Sequence, residues 1–287
     1  MVSSILGPMR GIFLLLILTI LIFVVNMVQM VSVVIYPFSR RKFMLFNMAT
    51  KQFYCDFLVK CCYACGNDFQ LTGDLAQREN AIVLGNHQSY IDVPVLWMWA
   101  SPLKTIGWMK WFVKDEFKFV PGLGWGLKFV QGIFVKRNWS RDADSIKETF
   151  KILMGADIPF WITIFPEGTR MKAKKYSASQ LYSKRRGSTV FQHVLFPRPK
   201  GVWASIQGVK SKLSAVYDFS IAFPCEPPTV FEYFCKGHYT VKLDIKRFPI
   251  AELPTTEREF NQWMQDRFEA KDRWLAANSG WVHKFNN

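Results

Sequence analysis

The chain has 287 residues, of which half are apolar, and a formal net charge of +15 at pH 7. The length predicts one large domain with an appendage, and the apolar content excludes a disordered protein. The charge excludes an acidic protein and indicates an anionic partner, either nucleic acid or anionic lipid. Nucleic acid is not expected, because the sequence contains no zinc-finger or RNP-type signature.

The first predicted element is an apolar helix over residues 11–35, which contain no charged side chain. As a helix this stretch would span about 37 Å, enough for a hydrocarbon core of about 30 Å. A cleaved signal peptide has an apolar region of only about 7–15 residues, so we predict a retained membrane anchor. Only Arg10 precedes the anchor, whereas several lysines and arginines follow it, and this bias predicts a cytosolic domain.

A second helix is predicted after the anchor, over residues 43–65. It carries many aromatic and aliphatic side chains, but Lys51, Asp56 and Lys60 favour an interfacial amphipathic helix over a second membrane span. A hairpin of two membrane-inserted helices is the alternative.

We therefore predict two parts of the chain, with the anchor and the amphipathic helix in residues 1–66 and the main domain in residues 67–287. The six cysteines are expected to be free thiols, because the domain is placed in the cytosol. Cys62 and Cys65 have no second pair at zinc-ribbon spacing, so no metal is expected. A glycosylation sequon begins at Asn138, and the predicted topology leaves it unmodified.

A histidine and an aspartate lie at the next predicted junction between a strand and a helix. The apolar run 81–84 predicts a buried strand, and a helix-like run starts at Ile91. In a regular helix His87 and Asp92 would lie about 140° apart, so they meet only if His87 lies in the turn. A carboxylate that holds one imidazole nitrogen protonated leaves the other free to take a proton. A core histidine beside a helix-capping aspartate is the alternative.

Aromatic residues and lysines alternate between residues 104 and 126. One interpretation is a helix with a buried aromatic face that ends in the turn at Pro121. The other is a membrane-interface belt, with aromatic rings at headgroup depth and lysines on phosphates. The two interpretations are compatible, since one face of the helix can be buried in the core while the other contacts the membrane.

Two further strands are predicted at residues 132–136 and 160–165, with a helix that begins at Ser140 and ends at Met154 between them. Pro166 ends the second strand and places the sequence Glu-Gly-Thr-Arg on a loop at the carboxyl end of that strand. Ligands bind at this edge in open α/β sheets. Because His87 also follows a strand, one crevice can hold both motifs.

The remaining elements complete the predicted fold. The basic stretch 172–186 is expected to be mainly a solvated loop, and His193, which has no motif partner, is not expected to be catalytic. Residues 215–223 and 239–248 alternate apolar and polar side chains, which predicts half-buried strands. A capping box at residues 256–259 opens a C-terminal helix. We predict an α/β fold with a mixed, largely parallel sheet flanked by helices.

Two motifs of this sequence resemble those of the glycerolipid acyltransferase family, which includes the lysophosphatidic acid acyltransferases. The family's first motif, Asn-His-x4-Asp, is matched by residues 86–92, and its third, Phe-Pro-Glu-Gly-Thr-Arg, by residues 165–170. The resemblance extends from about residue 73 to residue 223. It implies that His87 is the catalytic base and that Asp92 orients it.

The resemblance implies transfer of an acyl chain from acyl-CoA to the free hydroxyl of a lysophospholipid, with lysophosphatidic acid as the expected acceptor. Acyl-CoA would be a co-substrate, and no bound cofactor is expected. The implied location is the endoplasmic reticulum membrane. The resemblance also implies a set of phosphate-binding residues, in which Glu167 orients an arginine or a hydroxyl: Arg137, Glu167, Gly168, Thr169 and Arg170.

Several alternatives stay open at this point. A remodelling acyltransferase would take another lysophospholipid, such as lysophosphatidylinositol or lysocardiolipin, and a transacylase would not need acyl-CoA. A serine hydrolase acting through Ser89 is disfavoured, because the chain contains no Gly-x-Ser-x-Gly elbow. A membrane lipid-binding protein without catalytic activity would need neither His87 nor acyl-CoA.

Overall fold

The structure is a computed structural model that describes residues 2–136 and 139–281. Its N-terminal half contains α1 (Val2–Val31), α2 (Arg40–Ala64), β1 (Asp68–Gly73), β2 (Ala81–Gly85), α3 (Asp92–Ala100), β3 (Met109–Lys114), α4 (Leu123–Phe129) and β4 (Ile133–Val135). The second half contains α5 (Trp139–Ala156), β5 (Trp161–Ile164), α6 (Ala173–Arg185), α7 (Pro199–Val209), β6 (Ala215–Ala222), α8 (Val230–Cys235), β7 (Thr240–Pro249) and α9 (Glu257–Asn278).

Seven strands of the described residues form one sheet, in the order β1-β7-β6-β2-β5-β3-β4. Neighbouring strands run parallel, except that β6 and β7 are antiparallel. The predicted mixed, largely parallel sheet flanked by helices is therefore confirmed. Because β2, β5 and β6 lie side by side in the centre, their carboxyl ends meet at one edge, where the sequence predicted the crevice.

Helices cover both faces of the sheet. On one face, α2 and α3 pack against large side chains such as Trp161, Tyr217 and Phe219. On the other face, α5, α7 and α9 enclose Phe150, Phe160 and other core residues. The prediction that residues 215–223 form a half-buried strand was wrong, because β6 lies between these two layers and every one of its residues is buried. The half-buried character of β7 is confirmed.

The N-terminal segment forms a helical hairpin that packs on the domain. The stretch Leu6–Ile35 is long and apolar enough to cross a membrane, with a mean hydropathy of 2.9. The guanidinium of Arg10 donates hydrogen bonds to the carbonyls of Phe234 and Cys235 at the end of α8. In α2, Lys51 is buried and donates to the Met109 carbonyl. The hairpin thus contacts the domain through both of its helices.

The helix predicted between residue 104 and the turn at Pro121 is wrong, because this stretch contains β3 flanked by two short 3-10 helices, and α4 begins only after the turn. Lys110 lies in β3 and is almost fully buried, and its Nζ donates to the Val130 carbonyl at 2.9 Å. Gly122 has a φ of +75° and separates a short 3-10 helix from α4. Phe119 and Trp125 remain exposed, so the aromatic surface of this stretch is smaller than the sequence suggested.

Three other segments differ from the sequence-based expectations. The basic stretch 172–186, expected to be mainly a loop, contains α6, because it has good helix formers and neither glycine nor proline. Helix α5 extends beyond its predicted end at Met154 to Ala156. Helices α7 and α8 were not predicted, although their signals are present in the sequence: Pro199 at the start of α7 and the capping box of Thr229 and Glu232.

Candidate active site at the carboxyl edge of the sheet

The turn after β2 is fixed to the neighbouring strand by an asparagine. The buried side chain of Asn86 donates to the Ile221 carbonyl and accepts from the Ile221 N–H, both at 2.9 Å. The amide therefore replaces a pair of ladder hydrogen bonds just where β2 ends and the chain turns away from the sheet. This contact sets the position from which the next residue, His87, projects.

His87 and Asp92 are in direct contact, as the sequence predicted. Asp92 is the first residue of α3 and is fully buried, and its Oδ2 lies 2.7 Å from Nδ1 of His87. The same oxygen accepts the N–H groups of Gln88 and Ser89 at 2.8 and 3.0 Å. With Nδ1 donating to the carboxylate, Nε2 is the ring nitrogen that can accept a proton. The imidazole side chain is 17% exposed, so solvent or a substrate can reach it.

Phe165, the residue after β5, supports the imidazole. Its ring stacks on that of His87, with 3.9 Å between ring centroids and an interplanar angle of 15°. The ring of Phe219 in β6 packs edge-on against Phe165 at 5.9 Å. The contacts of Asp92 and Phe165 together fix both the direction and the plane of the imidazole.

Glu167, in the third-motif loop, connects that loop to the first-motif loop through its side chain. Its carboxylate is buried and accepts the backbone N–H of His87 at 3.0 Å and that of Leu195 at 3.3 Å. Met171 N–H also donates to the His87 carbonyl at 3.1 Å. Burial raises the pKa of Glu167 well above its ordinary value, and the two amide donors oppose that shift. Glu167 was expected to orient an arginine or a hydroxyl, but the groups it contacts are backbone amides.

The rest of the third motif forms a tight turn next to the histidine. Gly168 has a φ of +68°, which favours glycine, and its N–H donates to the Phe165 carbonyl at 2.9 Å. Arg170 lies over the ring of Tyr90, with its Cζ 3.5 Å from the ring centroid. Thr169, between them, is partly exposed. Arg137 lies outside the described residues.

The structure therefore brings six of the seven residues predicted from sequence to these two neighbouring loops: His87, Asp92, Glu167, Gly168, Thr169 and Arg170. Sequence reasoning missed Tyr90 and Phe165 as contacts of Arg170 and His87. Phe165 was within the recognised motif, but nothing in the spacing shows which ring it meets. Tyr90 carries a weak signal, since an aromatic residue in a polar turn is uncommon.

Two other candidates are engaged elsewhere. The Ser89 hydroxyl is buried, lies 3.4 Å from the Pro228 carbonyl and accepts the Ile91 N–H at 3.2 Å. These contacts hold the turn rather than prepare a nucleophile. The backbone N–H of His193 donates to Asp272 of α9, and its imidazole Nδ1 lies 3.7 Å from the same carboxylate. His193 thus belongs to the attachment of its segment to α9.

Comparisons with known proteins show the family to which the chain belongs. Residues 68–201 match the family model described as Acyltransferase, and residues 232–277 match the model described as Acyltransferase C-terminus. The chain is 31% identical over 265 residues to 1-acyl-sn-glycerol-3-phosphate acyltransferase 3 of Arabidopsis thaliana, a match that covers 88% of this chain and 69% of the relative. The chain therefore belongs to the glycerolipid acyltransferase family, as its two motifs indicated.

Other relatives match over a smaller share of their own length. The chain is 35% identical to 1-acyl-sn-glycerol-3-phosphate acyltransferase 2 of Brassica oleracea over 69% of this chain, but only 51% of that relative is covered. For the mouse protein 1-acyl-sn-glycerol-3-phosphate acyltransferase epsilon, the identity is 33%, over 73% of this chain and 61% of the relative. This chain thus spans about half to two thirds of the length of these relatives.

A solved structure shows the same fold. The crystal structure of the 1-acyl-sn-glycerophosphate acyltransferase PlsC from Thermotoga maritima superposes with a TM-score of 0.51 and a sequence identity of 18%. The match covers 91% of this chain and 98% of that chain. At this identity the likeness supports the fold alone, and the chemistry must be argued from the residues of the site.

Proposed function

We propose that this protein transfers a fatty acyl chain from acyl-CoA to the free hydroxyl of a lysophospholipid, with lysophosphatidic acid as the acceptor and phosphatidic acid as the product. The observation that carries the proposal is the 2.7 Å contact between His87 and buried Asp92, next to the partly exposed third-motif turn that holds Arg170. The names of the relatives, which are 1-acyl-sn-glycerol-3-phosphate acyltransferases, support the choice of acceptor.

The proposed reaction needs a base but no enzyme nucleophile. An alcohol is a poor nucleophile at neutral pH, so Nε2 of His87 takes the hydroxyl proton as the oxygen attacks the thioester carbonyl. Asp92 keeps Nδ1 protonated and stabilises the imidazolium that forms. When the tetrahedral intermediate collapses, the carbon–sulfur bond breaks, and the imidazolium can return the proton to the departing CoA thiolate. Glu167 contributes by holding the His87 backbone in place.

The acceptor's phosphate is proposed to bind at the turn formed by residues 167–170. Arg170 supplies a guanidinium that can bind two phosphate oxygens at once, and its stacking on Tyr90 limits its freedom before substrate arrives. Arg137 is proposed as a second phosphate ligand on the basis of the family's second motif. Since both oxygens of Glu167 already accept backbone N–H groups, Glu167 is assigned to the support of the turn.

We also propose that the protein works at the endoplasmic reticulum membrane, with its domain on the cytosolic side. The apolar helix Leu6–Ile35 and the exposed apolar side chains along it support attachment to a bilayer. The lysines and arginines that follow this helix support the cytosolic side, because the cytoplasmic leaflet carries anionic lipids that attract basic segments. Acceptor and product are both lipids, so an enzyme attached to the membrane can bind one and release the other without exposing their tails to water.

The experiment that tests the function is an acceptor panel with radiolabelled acyl-CoA and detergent-purified protein, assayed for the wild type and for His87→Ala. We expect phosphatidic acid as the preferred product and a loss of at least about 100-fold in kcat in the variant, because general base catalysis contributes about 10²–10⁴-fold. Thermal unfolding of the variant checks that the fold is retained.

Each other outcome points to a different function. Preference for another lysophospholipid would indicate a remodelling enzyme, and acyl transfer in the absence of acyl-CoA would indicate a transacylase. A His87→Ala variant that keeps more than about a tenth of the wild-type kcat would remove His87 as the base. A wild type that binds lysophospholipid but acylates none of the panel would favour a lipid-binding protein.

A further inference from the structure

The segment between α6 and α7 runs beside the third-motif turn and is held by hydrogen bonds along its length. We call residues 187–198 the strap. Near its start, the N–H groups of Gln192 and His193 donate to the carboxylate of Asp272 in α9. Further along, the N–H of Leu195 donates to Glu167, beneath the turn. The strap is therefore held between the C-terminal helix and the candidate active site.

The strap ends with an arginine at the third-motif turn. The N–H of Arg198 donates to the Pro166 carbonyl at 2.8 Å, which fixes the backbone of Arg198 next to the loop. A Cβ built on Gly168 would lie 3.5–3.7 Å from Cδ, Nε and Cζ of Arg198, so the Arg198 side chain faces the turn at Gly168, where only a missing side chain separates them. Arg198 is nevertheless exposed on its other side.

The guanidinium of Arg198 has no carboxylate partner among the described residues, since no ion pair of residues 2–136 and 139–281 includes it. The sequence gives the reason: residues 168–217 contain eleven lysines and arginines and neither Asp nor Glu. Helix α7 begins at Pro199, so the positive end of its dipole adjoins Arg198. The rim of the turn is thus strongly positive and supplied with donors.

We propose that Arg198 is a binding residue for the phosphate of the acceptor, acting together with Arg170 at the Gly168 turn. The proposal rests on the proposed function, because it assigns a ligand to the rim of the same site. A phosphomonoester carries close to two negative charges at neutral pH, and one guanidinium cannot neutralise both. A guanidinium on the turn and a second one beside it can do so, each with up to two hydrogen bonds.

The arrangement also has a consequence for specificity. A phosphodiester headgroup carries one charge and presents fewer free oxygens, so it should gain less from a second guanidinium. Arg198 should therefore favour lysophosphatidic acid over lysophospholipids with larger headgroups, and it should matter little for an acceptor that has no phosphate. Acyl-CoA also carries phosphates, so the test must separate the two substrates.

The test uses the full chain in detergent micelles and the variants Arg198→Ala, Arg198→Lys and Arg185→Ala. Arg185 is an exposed arginine of α6 and serves as a control that removes the same charge away from the turn. We expect Arg198→Ala to raise KM for lysophosphatidic acid about 10–100-fold, the range expected when one charge-assisted hydrogen-bonding group is lost. We expect little change in kcat or in KM for acyl-CoA, and an intermediate effect for Arg198→Lys.

The acceptors are lysophosphatidic acid, a lysophospholipid with a phosphodiester headgroup, and monoacylglycerol. A larger effect on the first than on the second, and none on the third, is the expected result. The proposal is overturned if Arg198→Ala leaves KM for lysophosphatidic acid unchanged, if Arg185→Ala matches its effect, or if KM for acyl-CoA rises instead. Titration of lysophosphatidic acid into the same proteins measures Kd, so the role of Arg198 can be judged even if the wild type proves inactive and the proposed function fails.

Discussion

At the scale of single residues, three neighbouring side chains determine the tautomer and the position of His87. The Asp92 carboxylate selects the tautomer, the Phe165 ring fixes the plane of the imidazole, and Glu167 holds the His87 N–H. Asp92 and Phe165 act on the imidazole, whereas Glu167 acts on the backbone. Replacement of Glu167 should therefore shift the position of the His87 imidazole and leave its tautomer unchanged. The two buried carboxylates thus have separate roles.

Tyr90 positions Arg170 through the face of its ring, and this gives a prediction. Tyr90→Ala should raise KM for lysophosphatidic acid about 2–30-fold, because a cation–π contact contributes about 0.5–2 kcal/mol. Tyr90→Phe keeps the ring and should leave KM within about twofold of the wild type. Steady-state assays over a range of lysophosphatidic acid concentrations measure both variants. An equal loss in the two would show that the hydroxyl of Tyr90, rather than its ring, supports the site.

At the scale of elements, the sequence predicted those parts of the site whose determinants are local. The run 81–84, the turn and the helix start all lie within twelve residues, so periodicity and spacing were enough to place His87 against Asp92. The partners of Glu167 could not be predicted. One of them, Leu195, is 28 positions away and contributes only a backbone N–H, which leaves no trace in side-chain identity.

The failed prediction for residues 104–126 has a similar cause. Lysines and aromatic residues alternate there, a pattern that favours a helix with a buried aromatic face or a membrane-interface belt, and a lysine is rarely expected inside a sheet. Lys110 is nevertheless buried in β3, where the Val130 carbonyl satisfies its ammonium group and burial lowers its pKa. The fold brings the Val130 carbonyl next to β3, and nothing in the sequence predicts this contact.

The packing of α1 against α8 depends on a glycine and gives a prediction at the same scale. A Cβ on Gly11 would lie only 2.1 Å from Sγ of Cys235, so Gly11→Val must push the helices apart. We expect a loss of about 1–3 kcal/mol in the free energy of unfolding, the usual effect of overpacking. Gly155→Ala in α5 is the matched control, because a Cβ there meets nothing within 4 Å. Denaturant titration in detergent should show the loss for Gly11→Val and no loss for Gly155→Ala.

At the scale of the whole molecule, α1 contacts the domain near both of its ends. Arg10 binds the carbonyls at the end of α8, and Asn26 and Gln29 lie beside Gly126 of α4. These contacts are about 24–28 Å apart along the helix axis, close to the thickness of a hydrocarbon core of about 30 Å. If α1 crossed the bilayer, the polar groups of α4 or α8 would have to enter it. We therefore expect α1 to lie in one leaflet, with its exposed apolar side chains in lipid.

This placement predicts that the N-terminus, the turn between α1 and α2, and the domain all face the cytosol. Single cysteines at Ser3, Phe38 and Lys174 report on the three regions, in a Cys225→Ser background that removes the one exposed native thiol. An impermeant maleimide added to sealed microsomes should label all three variants, with Lys174→Cys as the reference for the domain. Asn138 should carry no glycan. Labelling of Phe38→Cys only after permeabilisation, with Ser3→Cys labelled from outside, would show that α1 spans the bilayer. A glycan on Asn138 would place the domain in the lumen, on the side away from cytosolic acyl-CoA.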